Sequence, residues 1–306
     1  MTSLALYTAI YPGVERYLAD WFASVRRQTD RDFRLWVGLD EVSVEAARAA
    51  MGGDPDAVWV PGRTGDSPAT IRQRALARIV ERHDAVVLVD SDDVMHATRV
   101  ATARAMLRTN DLVGCALRLV DEWGANMDLA FTLPPDLAPE SVFPRTNAFG
   151  LSNSAYRVEV LRRCLPIPAA AALVDWFLST RAWLFGARLW FGTRAEMDYR
   201  QHGANMARVR APFPEQQVLE DVQRVRLHFR LVRASRLQGA IPERLAELEH
   251  AAADIESFYK RVVLRPELLT RYVDALNKLG TTTSLWWAWV ANPAVRHLWA
   301  AAEGAA

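Results

Sequence analysis

Residues 86–89 (VVLV) run directly into Asp90-Ser91-Asp92-Asp93. Three carboxylates within four positions repel one another unless something positive sits among them. A helix N-terminus is one solution, since its cap and first turn favour acids. That accounts for one or two of the three. A hard divalent cation is the other. Mg2+ and Mn2+ take oxygen ligands, and Mg2+ commonly bridges one or two carboxylates and the phosphates of a substrate. The metal reading also explains why the acids follow a fully apolar strand.

The elements around this cluster alternate. Residues 3–10 (SLALYTAI) read as a buried strand closed by Pro12-Gly13, and VERYLADWFASVRRQ carries apolar residues at helical spacing. Residues 33–39 form a second strand ending on Asp40, and residues 57–60 a third. The loop PGRTGDSP leads into the helix ATIRQRALARIVER, and residues 84–89 form a fourth strand. Apolar strands with helical crossovers predict an α/β fold with a mostly parallel central sheet and helices on both faces. Ligands of such sheets gather beyond the C-terminal ends of the strands. Tyr11, Asp40 and the aspartate cluster all lie there, so three loops are expected to share one crevice.

Further on, FGLSNSAYR (149–157) leads into a short helix and LVDWFLSTRAWLFG (173–186) reads as a longer one. Residues 187–203 hold a strand or two and a loop. After residue 214 three successive helices follow, two with proline near the first turn. This suggests a division into residues 1–213 and a C-terminal helical extension, 214–306.

The chain of 306 residues has a formal net charge of +1, which argues against a nucleic-acid partner. Cys115 and Cys164 form no metal or redox motif and read as small buried hydrophobes. Residues 1–11 lack the basic start of a signal peptide, and no apolar run of about 18 residues could span a bilayer. A cytoplasmic location is therefore expected. Trp286, Trp287, Trp289 and Trp299 crowd the C-terminal tail. They suit a peripheral contact with the inner membrane face, or packing on the preceding helices or on a second subunit of a homodimer. Only Arg296 and His297 in that tail are basic, which favours packing.

The chain resembles the family-2-type inverting glycosyltransferases of the GT-A fold, including rhamnosyltransferase-like bacterial members, over about residues 3–210. The ordered motifs are ERYLADWFASVRRQ; LDEVS, a looser form of the family's acid–Ser turn; Gly65 followed by Arg72-Gln73; DSDD; the DW of LVDWFLSTRAWLFG; and YRQHGANM (199–206). The resemblance implies transfer of a sugar from a nucleotide sugar to a hydroxyl of a glycan or lipid-linked acceptor, in glycan or polysaccharide assembly, with Mn2+ or Mg2+. It places the donor against Thr8, Tyr11, Asp40, Arg72, Asp90, Asp92 and Arg200. Asp40 matches the acid that meets the nucleobase, and Arg72 a basic residue on the donor side. Asp92, Asp93 and His202 become the metal candidates, and Asp175 the base for the acceptor hydroxyl. As plain residues, Arg72 reads equally as a solvated helix arginine and Asp175 as a helix N-terminal acid favoured by the macrodipole. Two rivals stay open. One is a nucleotidyltransferase, disfavoured because the loop after the first strand lacks a glycine-rich basic motif. The other is a non-catalytic carbohydrate-binding protein of the same fold.

Overall fold

A computed structural model describes residues 3–203, 205, 211–280 and 285–300. Nine strands form one sheet among these residues. The first four are β1 (Leu4–Ile10), β2 (Arg34–Leu39), β3 (Ala57–Pro61) and β4 (Ala85–Leu88). They are mutually parallel in the order β3-β2-β1-β4. Every residue of β1 and β4 is buried, as expected of strands covered on both faces. After β3 the chain crosses back to the far side of β1. The reversal opens a crevice beyond the ends of β1 and β4, the usual place for a ligand in an open α/β sheet.

Helices α1 (Leu18–Arg26), α2 (Val44–Met51) and α3 (Pro68–Ile79) make the crossovers. Ser43 lies in the loosened acid–Ser motif but acts as the N-cap of α2, accepting the Ala46 N–H at 3.1 Å. Ser67 caps α3 in the same way, and Pro68 supplies its first turn.

The helix-cap account of the aspartates does not hold. Asp90–Asp93 form a turn into the two-residue strand β5 (Val94–Met95), and the next helix, α4 (Arg99–Met106), begins later. The sheet continues with β6 (Leu112–Val120), β7 (Asn126–Phe131), β8 (Ser154–Arg157) and β9 (Leu189–Arg200). β8 runs against both β4 and β6; β9 runs parallel to β6 and pairs antiparallel with β5. The β5–β9 pairing sets Val94 opposite Asp198, which brings the end of β9 beside the aspartates.

Helices α5 (Val158–Cys164) and α6 (Val174–Leu184) precede β9, and α7 (Glu215–Ala234), α8 (Pro242–Phe258) and α9 (Pro266–Lys278) follow it. Helix α7 lies on α6, where His228 stacks on Trp176 with ring centroids 4.1 Å apart. Burial pushes the His228 imidazole down to about 3, so it packs there as a neutral ring.

From α9 the tail returns to the sheet. Trp286, Trp287, Trp289 and Trp299 are 4%, 3%, 0% and 1% exposed, so the rings are turned into the protein, in line with the packing favoured from the scarcity of basic residues in the tail. A buried Trp removes about 150–250 Å² from water, on the order of 4–6 kcal/mol at about 25 cal/mol per Å² before ordering costs. Internal packing therefore outcompetes a shallow interfacial seat. Among the described residues, no helix is long and apolar enough to cross a membrane.

Candidate active site

A cleft of about 670 Å³ opens at the reversal in the sheet. Ala9 on β1 and Tyr11 after it, Asp40 after β2, Arg72 on α3, Asp90 and Asp92 after β4, and Asp175 on α6 all line it. The crevice expected from the strand ends is thus present, shared by those three loops.

Asp92 is the hub. Its Oδ2 accepts the Tyr11 hydroxyl at 3.0 Å and lies 2.9 Å from His202 Nε2. The Asp92 side chain is 9% exposed and that of His202 5%, so the pair is shielded from bulk water. Asp93 turns the other way. It is 1% exposed, accepts the Arg200 N–H at 2.7 Å and is bonded by the Ser152 hydroxyl. Ser152 also donates to Asp90 Oδ2 at 3.3 Å and accepts the Asp90 N–H at 3.2 Å, tying two of the three acids together. Burial drives the Asp93 carboxyl well above the usual range, and Asp92 and Asp90 push it the same way.

Arg200 is buried and its guanidinium is committed within the protein. It donates to the Asp92 carbonyl at 2.9 Å, the Glu122 carbonyl at 2.9 Å and the Asp20 carboxylate at 3.1 Å. It holds the aspartate turn and does not line the cleft. Asn205 donates to the Arg200 carbonyl at 3.0 Å and accepts the His202 N–H, which shapes the loop that presents His202. Ala204 and Met206 of the same motif lie outside the described residues.

Among the described residues lining the cleft, Arg72 is the cation. One nitrogen lies 3.8 Å from Asp90 Oδ1, and its charge opposes the upward shifts of Asp40, Asp90 and Asp175. Burial raises Asp40, with Glu41 adding to it, and burial raises Asp90 to about 7. Asp175 stands in the first turn of α6, where Asn147 Nδ2 donates to its Oδ2 at 2.9 Å. Burial lifts it to about 6, while the N–H groups of the helix start, Arg72 and Asn147 pull down. Burial and the helix terminus thus compete directly, and burial wins.

Thr8 sits apart from the others. It is 0% exposed inside the sheet, does not line the cleft, and its hydroxyl has no hydrogen-bond partner among the described residues. A buried unpaired hydroxyl costs about 1–3 kcal/mol. Thr8→Val keeps the shape and removes the hydroxyl. Chemical denaturation should then show a gain of about 1 kcal/mol with nucleotide affinity unchanged; a loss of nucleotide affinity would return Thr8 to the site.

Sequence reading missed three contributors. Asn147, on the loop before β8, holds Asp175 and is itself bonded to Phe149 and Ser179. Trp286 and Trp287, in the tail, line the cleft beside Tyr199. The density of tryptophans was the available signal for the tail; for Asn147 there was none.

Among the described residues, no three His, Cys, Asp or Glu side chains converge as a ready metal cage. Asp92 and His202 nevertheless fit a divalent ion held jointly with a ligand. They bring an imidazole nitrogen and a carboxylate oxygen together, in a hydrogen bond of 2.9 Å, and that donor pair would suit such an ion. Asp93 is placed differently: it does not line the cleft, and its oxygens meet the Arg200 N–H and the Ser152 hydroxyl.

No protein-family model matches the sequence, and no curated protein matches it either. Solved structures do match. S. aureus TarS 1-349 superimposes with a TM-score of 0.56 at 14% identity, over 90% of this chain and 79% of that one. The same protein in complex with UDP-GlcNAc gives 0.53 at 15% identity, over 84% and 72%. The mannosyltransferase PcManGT from Pyrobaculum calidifontis, in complex with GDP-Man and Mn2+, gives 0.54 at 17% identity, over 97% and 87%. At these identities the likeness establishes the fold: a GT-A α/β fold with helices appended at the C-terminus.

Proposed function

We propose that the protein is an inverting glycosyltransferase that moves a sugar from a nucleoside diphosphate donor to a hydroxyl of a glycan or lipid-linked acceptor. The observation that carries this reading is the convergence of Asp92, which His202 bonds from behind the cleft wall, Arg72 and an elevated Asp175 on one cleft at the reversal of the sheet. The likeness to nucleotide-sugar-binding GT-A proteins supports the same reading.

In this mechanism the base and ribose lie toward Asp40, and the diphosphate lies between Arg72 and Asp92. Asp92 and His202 would hold Mn2+ or Mg2+, which supplies Lewis-acid stabilisation of the charge on the departing phosphate. Arg72 adds a fixed positive charge on the same side, in a partly buried cleft where such charge counts for more than in water. Asp175 accepts the proton of the acceptor hydroxyl. The acceptor oxygen bonds to the anomeric carbon as the bond to the phosphate oxygen breaks on the opposite face, and the nucleoside diphosphate leaves. A base near 6 is ionised at neutral pH yet basic enough to take the proton as the new bond forms. On this reading residues 1–213 form the transferase body and 214–306 its extension.

The test is a panel of UDP-, GDP- and dTDP-linked hexoses and deoxyhexoses, with and without Mn2+. Thermal shift and release of nucleoside diphosphate are the two readouts. At least one donor should stabilise the protein with Mn2+ present and be slowly hydrolysed. A panel without binding or turnover sinks the transferase reading and leaves the fold.

A further inference from the structure

We propose that Arg26, Arg27 and Arg31 form an anion site for a phosphate ester, at the end of the sheet opposite the cleft. The site stands apart from sugar transfer and does not depend on that reading.

Position comes first. A cavity of about 510 Å³ is lined by Ala23, Val25, Arg26, Arg27, Arg31 and Phe33. Ala23 to Arg26 belong to the last turn of α1, and Phe33 directly precedes β2. Asp40, on the cleft, follows the other end of β2. The 6 residues of that strand, at about 3.3 Å each, put roughly 20 Å between the two sites.

Charge comes second. All three arginines are exposed, so a molecule in the cavity can reach them. The stretch VRRQTDRDF (25–33) also holds two acids that would neutralise them in part. The fold draws both acids to Arg104 of α4. That guanidinium makes a two-pronged pair with Asp30, at 2.6 and 3.2 Å, bonds the Asp32 carbonyl and lies 3.9 Å from the Asp32 carboxylate. Among the described residues, no acid or carbonyl meets the guanidinium of Arg26 or of Arg27.

Chemistry comes third. A helix C-terminus favours cations, which accounts for the sign of Arg26 and Arg27. Arg31 donates to the Arg26 carbonyl at 2.7 Å and the Gln28 carbonyl at 3.4 Å, which closes the helix end and holds its own guanidinium there. Neither effect calls for a concavity with two unpaired guanidiniums on its wall. A guanidinium matches phosphate in planar, two-pronged geometry. Half-buried Ala23 and Phe33 offer an apolar side to the carbon portion of an ester. A soluble phosphate ester and the headgroup of an anionic lipid present the same chemistry, and the test separates them.

The full-length protein is titrated with glycerol phosphate by calorimetry. In a second arm it is sedimented with vesicles of phosphatidylcholine, alone or mixed equally with phosphatidylglycerol. Binding of glycerol phosphate without sedimentation assigns the site to a soluble ester. Sedimentation only with the phosphatidylglycerol vesicles assigns it to a lipid headgroup. In whichever arm binds, the double variant Arg26→Gln/Arg27→Gln should weaken binding by about 10-fold or more, since both lost contacts are charge-assisted. The Kd for UDP or GDP with Mn2+ should stay within about twofold, as expected of distant sites. Both side chains are exposed and unpaired, so the variant should keep the wild-type melting temperature. Arg230→Gln/Arg236→Gln, on α7 and just beyond it, removes the same charge away from the cavity and should bind as the wild type does. No binding in either arm, or an equal loss in both double variants, overturns the proposal and leaves the transfer reading untouched.

Discussion

Asp175→Asn is expected to lower sugar transfer by about three to four orders of magnitude, at the upper end of what a positioned base contributes. Nucleoside diphosphate binding should be nearly unchanged. Asn keeps the shape and can still meet Asn147 after an amide flip, so the loss would be one of basicity. The pH dependence gives a second signature. The Asp175 carboxyl is lifted to about 6 by burial, against the opposing pull of the helix start, Arg72 and Asn147. Asp90 and Tyr156 also face it electrostatically. Wild-type kcat should therefore rise with pH through about 6 and level off, and the variant should lose that limb.

Stability should move the other way. An acid whose folded pKa lies above its unfolded 3.8 is protonated in both states at low pH. As pH rises from 3.8 toward about 6, the unfolded chain ionises first, so folding stability falls across that window and stays reduced above it. Asp175→Asn removes this cost, by up to about 3 kcal/mol at pH 7 for a shift of roughly two units. A variant that loses activity and gains stability identifies a residue strained for function. A variant that loses both would mark Asp175 as structural.

Asp92→Asn is the second large effect. Asp92 Oδ2 gathers Tyr11 and His202 and faces the cleft. Neutralising it removes a cleft carboxylate that is bonded to His202. Transfer should drop by about 10²–10³-fold, the scale of losing one electrostatic contact to developing charge. Titration calorimetry should show Mn2+ affinity, measured with UDP or GDP present, falling at least 10-fold, since even residues that only orient a metal ligand cost that much. His202→Ala should shift Mn2+ affinity in the same direction. Variants that lose activity with Mn2+ affinity intact would assign Asp92 and His202 to the hydrogen-bond network alone.

What was legible in the sequence was local. The apolar run into three acids marks a strand end in an α/β pattern, and Asp40, Arg72, Asp90, Asp92 and Asp175 all reach the cleft. Residues on a strand buried on both faces carry no alternation to reveal orientation. Thr8 and Ala9 are neighbours on β1, yet only Ala9 lines the cleft. Partners far apart in the chain were hidden as well. His202 and Asp92 are 110 positions apart, and their meeting depends on the pairing of two-residue β5 with β9, too short a strand to leave a pattern. Arg200 read as a ligand residue because it is cationic and stands in YRQHGANM, the segment that resembles the family's; in the fold its guanidinium is taken up by the Asp20 carboxylate and the Glu122 and Asp92 carbonyls.

The return of the tail to the cleft also sets an order of events during synthesis. The aspartate turn leaves the ribosome nearly two hundred residues before Trp286, so a nascent chain can build the sheet and hold Asp92 while one side of its pocket is still untranslated. Any message cut short ahead of codon 285 would yield a protein with the acids in place and the indoles missing.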